Sequence, residues 1–87
     1  MRIEIMQSPK GGARSNQIII HNSQGRHFRS YDTTIAFINL DGAVYLDKKY
    51  WNYSSTTTRY LSIFLGEDGK TTRKKIKSGE YKLKELN

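Results

Sequence analysis

The fold is decided by residues 34–46, TIAFINLDGAVYL, in which two apolar stretches flank an Asp-Gly dipeptide. Glycine reaches positive φ without steric cost, and Asp-Gly is a strong signal for a two-residue turn between antiparallel strands. We therefore predict strands over 34–40 and 43–46, joined by a turn at Asp41 and Gly42. This hairpin is the structural centre from which the rest of the chain can be interpreted.

The alternation within the hairpin predicts which of its side chains form the core. Ile35 and Phe37 share one face of the first strand, and Val44 and Leu46 are available to meet them across the hairpin. These four side chains would form the sheet side of the core.

The first 33 residues carry three weaker strand patterns. They are the alternating stretch 1–6, the β-branched run QIIIH at 17–21, and the stretch 26–33. In the last of these, Phe28 and Ser30 would face the core. The segment 8–16, SPKGGARSN, holds the only proline and two of the seven glycines, so we predict a mobile surface loop there.

A helix is predicted within residues 50–65, YWNYSSTTTRYLSIFL, because Tyr60, Leu61, Phe64 and Leu65 form one helical stripe. Gly66 suits the C-cap, and Ser54 or Ser55 suits the N-cap. Farther on, the pattern predicts a short helix over 71–77, a break at Ser78 and Gly79, and an extended segment over 80–86.

These elements predict a single α+β domain over residues 1–87. We expect a small antiparallel sheet of three to five strands, with one main helix packed on it and a short basic C-terminal element. A chain of this length buries about 60–65% of its unfolded surface, so a partner or self-association would add useful stability.

Five consecutive residues at the predicted helix start, 54–58, carry hydroxyl groups, and we call them the hydroxyl run. This run has two interpretations. Capping accounts for one or two hydroxyl groups, and the others would then be incidental. Alternatively, Thr56, Thr57 and Thr58, followed by Arg59, lie near the positive end of the helix dipole and contact a phosphate.

The charge is strongly positive: 15 Lys and Arg residues against 8 Asp and Glu residues leave a net charge of +7. Such a surplus favours anionic partners, of which nucleic acid is the commonest. Seven of the basic residues lie between 70 and 84, where only Glu80 opposes them: Lys70, Arg73, Lys74, Lys75, Lys77, Lys82 and Lys84. This segment is either a solvated face or a phosphate-contacting surface, and the first five are our candidates for contact.

Aromatic residues are dense around the helix start. Tyr50 and Trp51 lie between the hairpin and the helix, and we nominate them as side chains that stack on bases. The alternative is that they pack the helix onto the sheet with their polar tips in water.

Signals for catalysis, cofactors and metals are weak. The chain has no cysteine, which excludes disulfides and thiolate metal sites. His21 and His27 lack a nearby set of carboxylates, and Gly11-Gly12 lacks the Lys-Ser/Thr pair of a phosphate-binding loop. No nucleophile has a plausible base beside it. We expect a protein that is not an enzyme, with no cofactor or metal, and that stays inside the cell because no signal peptide or membrane span is evident.

The order SYDTTIAFI and then DGAVYLDKKYWNYSSTTTRYLSIFL, within residues 28–66, resembles small uncharacterised proteins of tailed bacteriophages. In these, a short hairpin leads into a Tyr-Ser-x-Thr-Thr motif and a helix ending in Phe-Leu. The matching residues are Ser30, Tyr31, Thr33, Tyr53, Ser54, Thr56, Thr57, Phe64 and Leu65. The resemblance implies expression in the cytoplasm of an infected bacterium.

These observations lead to a non-catalytic phage accessory protein that binds nucleic acid. The alternative is a modulator or inhibitor that docks on a host or phage protein, for example through an exposed sheet edge. A third hypothesis is a structural protein that associates with copies of itself.

Overall fold

The computed structural model describes residues 1–8 and 12–87, and for residues 13–15 it describes the backbone only. The described part of the chain contains six strands and two helices. Their bounds are Arg2–Gln7 (β1), Ala13–Asn22 (β2), Gly25–Ser30 (β3), Thr33–Asn39 (β4), Val44–Asp47 (β5), Ser55–Leu65 (α1), Gly69–Ser78 (α2) and Lys82–Lys84 (β6). Strand β2 begins within the segment 8–16 for which we predicted a mobile loop, and residues 9–11 of that loop lie outside the described residues.

The strands form a single mixed sheet in chain order, β1 to β6. Neighbours from β1 to β5 are antiparallel, whereas β6 runs parallel to β5, so α1 and α2 form the crossover between them. The prediction of three to five antiparallel strands with one main helix is therefore wrong. Strand β6 lies within the extended segment predicted over 80–86. Its parallel pairing with β5 was not predicted, because that pairing depends on the helices that return the chain to β5.

Helix α1 packs on one face of the sheet, which we call the helix face. The rings of Phe28 and Phe64 lie 5.7 Å apart between centroids, and the hydroxyl oxygens of Ser30 and Thr57 are 3.3 Å apart. Phe28 and Ser30 are both buried, which confirms their predicted core positions. The other buried apolar residues are Met6, Ile19, Ile35, Ala36, Leu46, Tyr60, Leu61, Phe64 and Tyr81.

The turn between β4 and β5 has Gly42 at a φ of 88°, as its sequence predicts. However, the Asn39 N–H donates to the Ala43 carbonyl at 3.0 Å, so the loop contains three residues, 40–42, instead of two. The Asn39 side chain stabilises this loop, because its Oδ1 accepts hydrogen bonds from the backbone N–H groups of Asp41 and Ala43. The extra residue moves the register of the hairpin by one position.

That register moves Phe37 to the other face of the sheet. Phe37 lies opposite Tyr45, whereas Leu46 lies opposite Ala36. A one-residue change of register exchanges the two faces of a strand, so the predicted core position of Phe37 is wrong. A second irregularity, in the β3–β4 pairing after Phe28, is accompanied by the burial of both Ile35 and Ala36, which are adjacent in sequence.

Both helices begin and end at defined caps. Ser54 is the N-cap of α1, with its Oγ accepting from the Thr57 N–H at 3.1 Å, and Gly66 ends the helix at a φ of 71°. This result confirms the predicted C-cap and decides between Ser54 and Ser55. Helix α2 begins two residues earlier than predicted, because the carboxylate of Asp68 caps it by accepting from the Thr71 N–H at 2.8 Å.

Candidate nucleic-acid interface

Some side chains of the hydroxyl run form hydrogen bonds at the start of α1, whereas others are exposed to solvent. Thr57 is buried at 1% exposure, and its Oγ1 lies 3.1 Å from Ser54 Oγ. Thr58 is half-buried, and its hydroxyl donates to the carbonyl oxygens of Ser54 and Ser55 at 3.1 Å. Because these hydroxyls serve the helix start itself, Thr57 and Thr58 are poorly available to a phosphate.

Thr56 and Arg59 are exposed and line a cavity of about 250 Å³ beside the first turns of α1. The opposite wall includes Gln17 and Tyr31. Gln17 is 2% exposed, and its Oε1 has no hydrogen-bond partner among the described atoms. Of the four candidates at the helix start, the structure therefore brings Thr56 and Arg59 together, on the helix side of the sheet.

Helix α2 carries a stripe of four exposed cations, Lys70, Arg73, Lys74 and Lys77. Their spacing of three, four and seven residues aligns them on one helix face. The opposite face includes the buried Thr72, which packs toward the protein. We call the four cations the α2 basic stripe.

The fifth candidate on this helix, Lys75, is partly exposed, but its ammonium group contacts a largely buried carboxylate. Its Nζ donates to Glu67 Oε1 at 2.9 Å, and this bond raises the pKa of Lys75. The same carboxylate accepts from the hydroxyls of Tyr81 at 2.7 Å and Thr72 at 2.8 Å. Burial acts to raise the pKa of Glu67, but the hydrogen bonds from Tyr81, Lys75 and Thr72 outweigh it, so the pKa lies below its ordinary value. We call these four residues the Glu67 cluster.

The two nominated aromatic residues are only half-exposed. Trp51 lines a small cavity with Thr58 and Arg73, and Tyr50 packs against the core. The rings of Tyr50 and Tyr53 meet edge to face, with centroids 5.9 Å apart. Tyr53 is the exposed member of this group at 67%.

A different set of aromatic residues lies on the face of the sheet opposite α1, which we call the open face. His27, Phe37 and Tyr45 lie directly opposite one another on β3, β4 and β5. The centroids of His27 and Phe37 are 4.4 Å apart with an interplanar angle of 21°, and those of Phe37 and Tyr45 are 6.1 Å apart at 18°. We call these three residues the aromatic row.

The aromatic row points away from the helices. Arg26 and Phe28, on either side of His27 in β3, both contact the Phe64 ring of α1. Since successive strand residues point to opposite faces, His27 lies on the open face, and Phe37 and Tyr45 share it. The three rings are half-buried, and the described residues place no second layer over them.

The charge on the open face is mainly positive. The Lys84 Nζ lies 4.7 Å from the centroid of the Tyr45 ring, and Lys82 lies opposite Tyr45 in the β5–β6 pairing. The nearby carboxylate of Asp47 is 3% exposed and accepts from the Leu86 N–H at 2.8 Å. Burial lowers the pKa of His27, which favours the neutral ring at pH 7.

The sequence interpretation missed the aromatic row because it assumed a two-residue turn. With a three-residue loop centred on Asp41, the sequence alone would have paired Phe37 with Tyr45. No sequence signal indicated that His27 would join them, because that contact depends on the β3–β4 register.

The comparison with protein families gives a direct assignment. The sequence profile of DUF8033, a family of unknown function, matches residues 1–80. The chain belongs to this family. Neither the curated proteins nor the solved structures contain a match. Within the described residues, neither helix is long and apolar enough to cross a membrane, and no cluster of three or more His, Asp or Glu side chains could hold a metal ion.

Proposed function

We propose that this DUF8033 protein is a non-catalytic nucleic-acid-binding protein that holds single-stranded segments on the open face of its sheet. The aromatic row carries the proposal, with its ring centroids 4.4 and 6.1 Å apart. Because the rings stack on one another, they turn their edges toward the uncovered side. A base of any sequence can pack against these edges, because every base offers a π-face. We also propose the setting implied by the resemblance of residues 28–66, that of a phage accessory protein in the cytoplasm of an infected bacterium.

The charge distribution supports the same function. Bases that pack against the aromatic row bring phosphates toward its flanks, where Lys82 and Lys84 lie in β6. Arg29, two residues after His27 on β3, extends the positive charge to another part of the open face. The net charge of +7 adds a long-range attraction that does not depend on sequence.

The helix side of the sheet has a secondary role in this proposal. The α2 basic stripe and the pair Thr56 and Arg59 are separated from the aromatic row by the sheet, so a short strand on the open face would not meet them. We assign them to attraction at a distance and to phosphate contacts with longer nucleic acids. Substitutions there should change the association rate and the salt dependence more than the affinity for a short oligonucleotide.

The deciding experiment is a titration of a short fluorescently labelled oligothymidylate, followed by anisotropy. Phe37→Ala and Tyr45→Ala should each raise Kd by about 5- to 150-fold, equivalent to roughly 1–3 kcal/mol for one base–aromatic contact. The matched control is Tyr53→Ala, because Tyr53 is 67% exposed and lies outside the aromatic row. This control should bind like the wild type, and thermal melts should show that all three variants are folded.

The salt dependence provides a second measurement. If Lys82, Lys84 and Arg29 contact phosphates, the log–log slope of affinity against salt should be about −2, since each contact contributes about −0.7 for a single strand. The aromatic substitutions should leave that slope unchanged, because they remove no phosphate contact. Duplex DNA, whose bases are already stacked, should bind more weakly than the single strand.

Two results would contradict the proposal in different ways. Wild-type affinity in both folded aromatic variants would show that the open face is not the binding site. Arg59 and the α2 basic stripe would then be the remaining candidates. No binding of any oligonucleotide at low salt would refute nucleic-acid binding altogether. Docking on a host or phage protein would then be the leading hypothesis.

A further inference from the structure

Strand β1 forms one edge of the sheet, and within the described residues no strand pairs with its outer side, which leaves that side open to pairing with another chain. The other edge, β6, is three residues long and has Lys82 and Lys84 on it. In contrast, β1 has six residues, and Ile3 and Ile5 on the open face are 54% and 47% exposed. A register shift between Ile5 and Met6 leaves Arg2–Ile5 as the regular part of this edge.

We propose that two copies of this chain associate through antiparallel pairing of their β1 strands, with Ile3 of one copy opposite Ile3 of the other. A two-fold axis perpendicular to the sheet makes the two strands antiparallel and keeps both open faces on the same side. In an antiparallel pair, directly opposite residues point to the same face of the sheet. Since the axis also keeps each residue on its own face, it must pass between the two copies of one β1 residue, which then lies opposite itself. This requirement leaves four candidate centres, Arg2, Ile3, Glu4 and Ile5.

Charge complementarity selects one of these centres. An axis through Arg2 places Arg2 against Arg2, and an axis through Glu4 places Glu4 against Glu4, both of which are repulsive. An axis through Ile5 carries the pairing into the register shift that follows this residue. An axis through Ile3 places Arg2 of each copy opposite Glu4 of the other, which forms two attractive pairs.

Glu4 has room for this second partner. One of its carboxylate oxygens, Oε1, lies 3.0 Å from the His21 Nε2, and its side chain is 51% exposed. A carboxylate accepts several hydrogen bonds through its two oxygens, so Arg2 of the second copy can bind without displacing His21.

The same register would join the two open faces. Ile3 lies opposite Ile20, and Ile20 lies opposite His27, so Ile3 belongs to the transverse line that contains the aromatic row. Pairing at Ile3 would continue this line into the second copy and create a twelve-stranded face. The two aromatic rows would begin about 24 Å apart, which is five strand spacings. Association through β1 does not depend on nucleic-acid binding.

A charge-swap experiment tests the proposal by analytical ultracentrifugation. The wild type should approach twice the chain mass of 10.1 kDa as concentration rises. Arg2→Glu and Glu4→Arg should each raise the dimer dissociation constant by about tenfold or more, because each creates two like-charge pairs. An equal mixture of the two variants should dimerise again, since every pair in the mixed dimer is attractive.

A cysteine experiment tests the register without relying on a charged residue. The chain has no cysteine, so Ile3→Cys introduces the only thiol. Directly opposite residues of antiparallel strands have Cα atoms about 4.5–5.5 Å apart, which is within the range for a disulfide. Ile3→Cys should form a disulfide-linked dimer under mild oxidation. Ile5→Cys is the matched control, because its two thiols would lie about 14 Å apart along the strands.

Several results would overturn the proposal. A wild type that stays monomeric at high protein concentration would refute the dimer. Wild-type association in folded Arg2→Glu, or equal cross-linking of Ile3→Cys and Ile5→Cys, would refute this register. A mixture of the charge-swap variants that remained monomeric would do the same.

Discussion

The Glu67 cluster leads to a sharp stability prediction, because one carboxylate joins α2 to the segment that precedes β6. Glu67→Gln removes the charge that Lys75 and the hydroxyls of Tyr81 and Thr72 contact at 2.7–2.9 Å. A hydrogen bond to a charged group contributes about 1.5–3 kcal/mol, but glutamine retains one acceptor oxygen, and Lys75 is partly exposed and can turn toward water. We therefore expect a loss of about 2–3 kcal/mol at pH 7.

The matched control is Glu80→Gln. Glu80 lies 3.8 Å from the same Lys75 Nζ, but its side chain is 61% exposed, whereas that of Glu67 is 10% exposed. An exposed ion pair contributes about 0–1 kcal/mol, so this variant should be close to the wild type. Guanidinium unfolding measures both differences, and for a chain of this size 2–3 kcal/mol corresponds to roughly 8–24 °C in Tm.

The pH dependence separates the charge of Glu67 from its packing. The pKa of Glu67 is lower in the folded protein than its ordinary value of 4.5. Between these two pKa values the unfolded chain therefore binds more protons than the folded protein. The stability from this group is therefore present above about pH 4.5 and is lost as the pH falls through the lowered folded pKa. The difference between wild type and Glu67→Gln should shrink accordingly. Equal losses in the Glu67 and Glu80 variants, or a loss that stayed constant between pH 7 and acid, would refute the reasoning.

Two further predictions concern backbone geometry and capping. Gly25→Ala should cost more than Gly42→Ala in thermal melts, because a Cβ at Gly25 would meet the Ile38 carbonyl oxygen, whereas Gly42 has open space and only φ strain of about 1–2 kcal/mol. Equal losses would mean that the backbone around Gly25 relaxes freely. Ser54→Ala should lower stability by about 0.5–2 kcal/mol because it removes the cap of α1, while Ser55→Ala, one residue later, should have little effect. A loss of stability in Ser55→Ala instead would show that Ser55 is the N-cap of α1.

Local sequence signals were sufficient wherever a structural feature depends on a few neighbouring residues. Ser54 and Gly66 mark the ends of α1 because capping and positive φ are properties of single residues. Phe28 is buried as predicted, and Gly42 has its predicted φ. Single-residue chemistry and short-range periodicity therefore determined the main helix, the position of the hairpin turn and four of the five candidate cations of α2.

The tertiary structure decided which side chains meet. A loop of three residues in place of two moved Phe37 from its predicted core position to the open face, where it lies between His27 and Tyr45. Lys75 carries the same sequence signal as its basic neighbours, yet the fold holds it against Glu67. Strand register and long-range contacts depend on the packing of the whole sheet, because a slip of one residue exchanges its two faces. The sequence determined which side chains are available for binding, and the strand register determined on which face of the sheet they lie.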